Sequence, residues 1–338
     1  MSAIRLITTG GTIAMSYDES AGGAVPALGG ADFTRLLLES ARAVETDEFS
    51  NLPSAHFTPE FLWQLRKRVQ EVAMLEEVEG IVITHGTDTM EETAYLLDLT
   101  VDTDKPIVLT GAMRTASEVG YDGMANLLSA IRVAGTEAAR GLGALVVMNQ
   151  EVHAARDVTK THTQSTDTFK SLNYGALGRV DGDRVLLERR VNRQYIPCSG
   201  PVPDVHLLKL TVGSSDRFLR QLIDARAAGV VIEALGGGRV PPPWMPTIRS
   251  AVEHEVTVVL GSRCPSGRVY DAYGYQGAYR DLQAAGVVFA EGLNGQKARI
   301  KLMVALGITR DREALQALFS AGLLEPPGAE LVQEPTGT

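Results

Sequence analysis

Residues 80–99 read GIVITHGTDTMEETAYLLDL. The opening run Ile81-Val82-Ile83 is short and apolar, as a buried strand requires. His85 to Thr89 interrupt it with a glycine and polar side chains. From Met90 onward, apolar residues return at helical spacing. A strand, a tight turn and a helix in that order are the first half of a parallel β-α-β unit, so this stretch argues for α/β architecture.

The same texture extends in both directions. AIRLIT (residues 3–8) reads as a strand that ends in Thr9, Gly10, Gly11 and Thr12. TPEFLWQLRKRVQEVAML (58–75) reads as a helix: Thr58 can cap it, Pro59 suits its first turn, and Phe61, Leu62, Leu65, Val69 and Val72 form an apolar stripe. KPIVLTGAMR (105–114) and LGALVVMNQ (142–150) give two further strands, with a helix between them over 121–135. Past about residue 185 the period is lost. VNRQYIPCSGPVPD (191–204) carries three prolines, so residues 186–205 are read as a linker. A second α/β series follows over 206–330, with strands in HLLKLTV, VVIEALGGG and VTVVLGSR and helices between and after them. The expected domains are therefore 1–185, carrying the candidate catalytic residues, and 206–330. The chain closes on the Pro-rich stretch EPPGAELVQEPTGT (325–338), of which 331–338 is read as the tail.

Composition narrows the function. In 338 residues the formal charge is −9 and 44% are hydrophobic, so a sizeable core can form. Nucleic acid is disfavoured as a partner because clustered Lys and Arg are lacking, and no basic block or long apolar run points to a membrane. Two cysteines, Cys198 and Cys264, fit a reduced compartment, and the N-terminus reads as a strand rather than a signal-peptide core. The expected location is the cytoplasm. The six histidines show no HExxH or CxxC spacing, so no metal site is expected.

Ligands of open parallel sheets bind beyond the carboxyl ends of the strands, and two polar clusters fall there. One is Thr8 to Thr12; the other is His85 to Thr89. Gly11 and Gly86 allow close backbone approach to a ligand, while Thr12 and Thr87 offer hydroxyls and Asp88 a carboxylate. A threonine hydroxyl needs a base, and Lys160 in ARDVTKTHTQ is a candidate, making Thr–Lys–Asp a parallel to Ser–His–Asp. Bland readings stand beside these. TGGT can be a tight turn, Thr87 and Asp88 can cap a helix, Lys160 can be a solvated charge, and His85 a structural residue. Glu91 and Glu92 belong in a first helical turn, where the dipole favours them. The glycines of EALGGGRVPPP mark a turn or lid.

Taken in order, TGGTIAM (9–15), GIVITHGTDTMEETAYLLDLTV (80–101), KPIVLTGAMR (105–114), ARDVTKTHT (155–163), FKSLNYGALG (169–178) and LNGQKARI (293–300) resemble the bacterial-type L-asparaginase/glutaminase family. The resemblance implies a larger N-terminal doubly wound domain and a smaller C-terminal parallel α/β domain. It implies hydrolysis of asparagine to aspartate and ammonia without a cofactor, in a homotetramer built from close dimers. Thr12 matches the family's nucleophile, and Thr87, Asp88 and Lys160 its Thr–Asp–Lys set. Asp88 would also hold the substrate ammonium and Ser54 its carboxylate. Ala112, in the segment Gly111 to Met113, would line the amide.

The chain departs from the family pattern in three places. Ala24 stands where the lid tyrosine aligns, leaving Tyr17 as a replacement. Ala55 stands where many members have a glutamine. An acidic residue lent by a neighbouring subunit has no counterpart in GAYRDLQAAG (277–286). These departures keep glutamine, D-asparagine and a non-catalytic amino-acid sensor open as alternatives.

Overall fold

The computed structural model describes residues 3–26, 43–270 and 273–321. The expected tail (331–338) and residues 322–330 of the expected second domain lie outside them. The main sheet contains β1 (Ala3–Thr8), β4 (Val44–Glu48), β5 (Val78–Thr84), β6 (Ile107–Thr110), β7 (Ala144–Met148), β8 (Glu151–Ala154), β11 (Gly178–Asp181) and β12 (Arg184–Leu187), in the spatial order β12-β11-β8-β7-β6-β5-β1-β4. The five strands from β7 to β4 are parallel.

Alternation along these strands builds two cores. Leu6, Val82, Val108 and Leu145 point to one face, against Leu127, Ala130 and Ile131 of the helix Gly123–Ala134. Ile7, Ile81, Ile83, Ile107 and Val146 point to the other, against Leu65, Val69 and Val72 of the helix Pro59–Ala73 and Ala94 and Leu97 of the helix Met90–Thr100. Each fully buried Val or Leu contributes about 1.5–3 kcal/mol, so both helix layers are held mainly by these faces. The sheet is thus doubly wound. It is also mixed: Asn149 and Gln150 both take positive φ, 48° and 64°, and this two-residue turn sends β8 back antiparallel to β7.

The helix Pro59–Ala73 starts as expected, with Thr58 Oγ1 accepting from Phe61 N at 3.2 Å. Leu62, Leu65, Val69 and Val72 are buried. Phe61 is only half-buried and stacks on Phe57, with ring centroids 4.2 Å apart.

Two ribbons stand apart from the main sheet. β2 (Met15–Asp18) pairs with β3 (Gly23–Pro26), and β9 (Val158–Lys160) pairs with β10 (Phe169–Ser171). The second sheet, β13 (Val205–Lys209), β14 (Gly229–Ala234), β15 (Thr257–Ser262) and β16 (Val288–Phe289), is wholly parallel. No strand or helix lies between Leu187 and Val205. One face of the second sheet joins the helix Gly295–Leu306 in a cluster that also takes in Leu62, Tyr95, Leu96 and Leu99, so the seam between the two α/β units is apolar. Among the described residues no helix is long and apolar enough to cross a membrane. Cys198 and Cys264 are both free thiols.

Candidate active site

In the main sheet the chain passes from β1 to β4 on one side and then to β5 on the other. The gap between β1 and β5 is therefore the point where the winding direction reverses, and the loops leaving it diverge to form a crevice. Thr9 to Thr12 leave the end of β1, Gly86 to Asp88 the end of β5, and Gly111 to Met113 the end of β6. Sequence placed the candidate residues at strand ends; the strand order brings three of those ends side by side.

Glycines set how closely the loops approach. A Cβ on Gly11 would lie 2.5 Å from Gly86 Cα, and one on Gly10 would lie 2.6 Å from Leu52 N. Gly10 and Gly11 have φ of 102° and 90°, a region that side chains disfavour. A Cβ on Gly86 would meet Ser54 Oγ at 2.6 Å, so the buried Ser54 abuts the same loop. A Cβ on Gly111 would lie 2.5 Å from the His85 carbonyl and 3.4 Å from Thr87 Cγ2, which brings Ala112 to the same crevice.

Lys160 reaches this crevice from the β9–β10 ribbon. Its Nζ donates to Thr87 Oγ1 at 2.9 Å and to Asp88 Oδ1 at 2.8 Å. The lysine side chain is 16% exposed and the aspartate 67%. Thr87 and Asp88 do not cap the following helix. Thr89 is the N-cap residue, and its hydroxyl donates instead to the Ser54 carbonyl at 3.0 Å. A cavity of about 320 Å³ opens on the outer side of the ion pair, lined by Asp88, Lys160, Thr161, His162 and Thr163.

His85 is structural. Its Nδ1–H donates to the Gly86 carbonyl at 2.6 Å and its Nε2 accepts from Thr93 Oγ1 at 2.8 Å. Both ring nitrogens are used, and complete burial pulls the imidazole down to about 4, so it stays neutral. Its bond fixes the Gly86 carbonyl within the loop.

Thr12 begins a short 3-10 turn, Thr12–Ala14. The Tyr121 hydroxyl fixes that turn by donating to the Ile13 carbonyl at 2.7 Å. Burial pushes this phenol up to about 12, which keeps it a donor. Tyr17 lies on the β2–β3 ribbon, 59% exposed, and pairs directly with Ala24. Opposed residues of an antiparallel pair share a face, so Tyr17 projects from the face on which an Ala24 side chain would stand.

Glu91 has a larger part than its place in a first helical turn suggested. It is 5% exposed, and its carboxylate accepts from Thr159 Oγ1 at 3.0 Å, Lys160 N at 3.3 Å and Asn294 Nδ2 at 2.8 Å. Neither Glu91 nor Tyr121 carried a sequence signal for these roles, because their partners lie far away along the chain. The glycine-rich EALGGGRVPPP segment forms a tight turn in which Leu235 and Arg239 bridge.

Comparison with known proteins matches residues 3–193 to the family model described as Asparaginase, N-terminal, and residues 204–319 to that described as Glutaminase/Asparaginase C-terminal domain. A probable L-asparaginase of Deinococcus radiodurans is 37% identical over 331 residues, covering 95% of this chain and 98% of the relative. An L-asparaginase of Bacillus licheniformis is 34% identical over 305 residues, covering 90% and 95%. A glutaminase-asparaginase of Pseudomonas fluorescens biotype A is 34% identical over 331 residues, covering 94% and 90%.

Proposed function

The chain belongs to the asparaginase family, and from that premise we propose that it hydrolyses L-asparagine to L-aspartate and ammonia. The observation that carries the reading is the Lys160 amine bonded at once to Thr87 Oγ1, at 2.9 Å, and Asp88 Oδ1, at 2.8 Å. A purely structural lysine has no need of a hydroxyl partner in a crevice; a proton acceptor does.

Ser54 and Asp88 clamp the substrate carboxylate and ammonium. This clamp holds the side-chain amide between Gly11, Gly86 and Ala112 and turns binding into orientation. Thr12 Oγ attacks the amide carbon, the C–N bond breaks, and the threonine proton leaves with the nitrogen as ammonia. Water then attacks the resulting ester. Lys160 enters this step as the neutral amine: the water's proton passes through Thr87 to its Nζ, Asp88 steadies the cation so formed, and the proton returns to Thr12 as aspartate departs. Backbone N–H groups of the two glycine loops stabilise each oxyanion, an effect worth about 3 kcal/mol per donor. Tyr17 takes the lid role, closing over Thr12 in place of a residue at Ala24. None of these steps calls for a metal or cofactor.

Residues 1–185 carry this chemistry, residues 186–205 link it to the second domain expected over 206–330, and from that domain Asn294 and Lys297 brace the site. The exposure of Asp88 and the open cavity beside it support a homo-oligomer, a tetramer, in which a second subunit covers the outer wall. Two free thiols support a cytoplasmic setting.

The glutaminase-asparaginase relative gives glutamine a place as second substrate. Ammonia release measured side by side with L-asparagine, L-glutamine and D-asparagine tests the reading. L-Asparagine is expected to give the highest kcat/KM. Preference for either other amide reassigns the substrate, and aspartate binding without ammonia release from any of the three replaces the enzyme with a sensor.

A further inference from the structure

β9 is three residues long and pairs only with β10, outside the main sheet. Such a ribbon is too small to hold a side chain in register by itself. Yet its last residue is Lys160, whose amine must meet Thr87 and Asp88. Side-chain anchors do what the sheet does not. Glu91 Oε1 accepts from Thr159 Oγ1 at 3.0 Å and from Lys160 N at 3.3 Å. Just upstream, the buried Lys297 donates to the carbonyls of Arg156, at 3.1 Å, and Val158.

Both anchors are themselves braced from the C-terminal unit. Asn294 Nδ2 donates to Glu91 Oε2 at 2.8 Å, while Asn294 Oδ1 accepts from Lys297 N at 3.0 Å and so caps the helix Gly295–Leu306. Lys297 Nζ lies 3.8 Å from Glu91 Oε2. Asn294 is polarised by these two bonds: its nitrogen must face Glu91 and its oxygen must face the helix.

We propose that Glu91 and Asn294 are positioning residues for the hydrolysis, a two-part brace through which the C-terminal unit sets the placement of Lys160 against Thr87. The proposal rests on the reading of Lys160 as the proton acceptor. The brace differs from an ordinary domain contact in having a defined donor–acceptor polarity. Glu91→Gln turns an N–H toward the Asn294 N–H. Asn294→Asp keeps the helix cap but sets a carboxylate against Glu91. The double variant Glu91→Gln/Asn294→Asp restores one donor facing one acceptor, with the polarity reversed and the total charge unchanged.

The test is steady-state hydrolysis of L-asparagine by the full chain and these three variants, with Lys160→Met alongside and thermal unfolding of each. Each single variant is expected to lower kcat about tenfold with KM within about twofold, the signature of misplacement rather than lost binding. The double is expected to recover to within about threefold of the parent kcat. Singles with parental kcat, or a double no better than the worse single, overturn the proposal. Should the singles fold poorly, Thr159→Val removes the 3.0 Å bond to Glu91 and the 3.5 Å bond from Asn294 Nδ2, both within the brace, and is expected to lower kcat severalfold; an unchanged kcat there overturns it equally. An active Lys160→Met removes the proton-acceptor reading and the brace with it, whereas an inactive Lys160→Met beside a fully active Glu91→Gln removes the brace alone.

Discussion

Gly11 and Gly86 touch backbone to backbone: a methyl group on Gly11 would sit 2.5 Å from the Gly86 α-carbon. The loop that carries Thr12 and the loop that carries Thr87 are therefore seated on one another with no side chain between them. Gly11→Ala has to part the loops and also accept φ of 90°. A displacement on the order of an ångström at such a site costs about 100-fold, so kcat/KM should fall by about that factor. Gly274→Ala, which meets nothing within 4 Å, should leave it unchanged. Equal activity of the two variants would mean that the loop contact does not matter to turnover.

Tyr121→Phe deletes one bond, from the phenol to the Ile13 carbonyl at 2.7 Å, and nothing of the ring packing. The Thr12 turn loses its tether to the segment after β6. The stability cost should be about 1 kcal/mol, and kcat should fall about tenfold from poorer orientation of Thr12. Kinetics and urea unfolding of the variant check both. A stability loss with no change in kcat would make the tyrosine a packing residue only.

The lid assignment rests on a cross-strand pair and can be tested by exchange. Tyr17→Phe should lower kcat about 100-fold, the low end of what a lost proton-handling group costs. Tyr17→Phe/Ala24→Tyr moves the phenol across the β2–β3 ribbon to the directly opposed position and should regain much of the loss. If Tyr17→Phe turns over at the parental rate, the lid works without a hydroxyl.

His85 makes stability depend on pH. Its ring titrates at 6.5 in an unfolded chain and at about 4 in the fold, because burial disfavours the cation. The stability it contributes is complete above pH 6.5 and is lost as pH falls towards 4, about 3 kcal/mol in all. Burial lowers His153 in the same direction. Glu92, raised to about 7, and Asp98, raised to about 6, act oppositely, since the folded chain takes up their protons first. Comparison with His85→Gln isolates one group. The variant should be less stable than the parent at pH 7 and should lose less on acidification to pH 4.5. A stability gap equal at both pH values would show that His85 does not titrate differently in the fold.

Local order was legible wherever a short stretch decides it. Thr58, Pro59 and the Leu62–Leu65–Val69–Val72 stripe announced a helix and formed one, because cap, first turn and buried face all lie within 15 residues. The strand ends bearing Thr12 and Thr87 were legible for the same reason. What no stretch encodes is which strands become neighbours, and that decides whether Gly11 meets Gly86. The turn at Asn149–Gln150, which makes the sheet mixed, read only as the polar end of the strand LGALVVMNQ, and the returning strand Glu151–Ala154 is too short to announce itself. For Thr87 and Asp88 the sequence offered capping or chemistry, and the N-cap position of Thr89 removes the capping reading. Glu91 was the least legible: its bond to Asn294 spans 203 positions, and a glutamate in a first helical turn is sufficiently explained by the helix dipole.

The most direct test of the central claim is the steady-state release of ammonia from L-asparagine by the parent chain and by Lys160→Met, each checked for unchanged thermal unfolding. Removal of a proton acceptor that works with a nucleophile as a unit should cost at least about a thousandfold in kcat. A Lys160→Met protein that unfolds normally and still turns over within a few-fold of the parent would contradict the account.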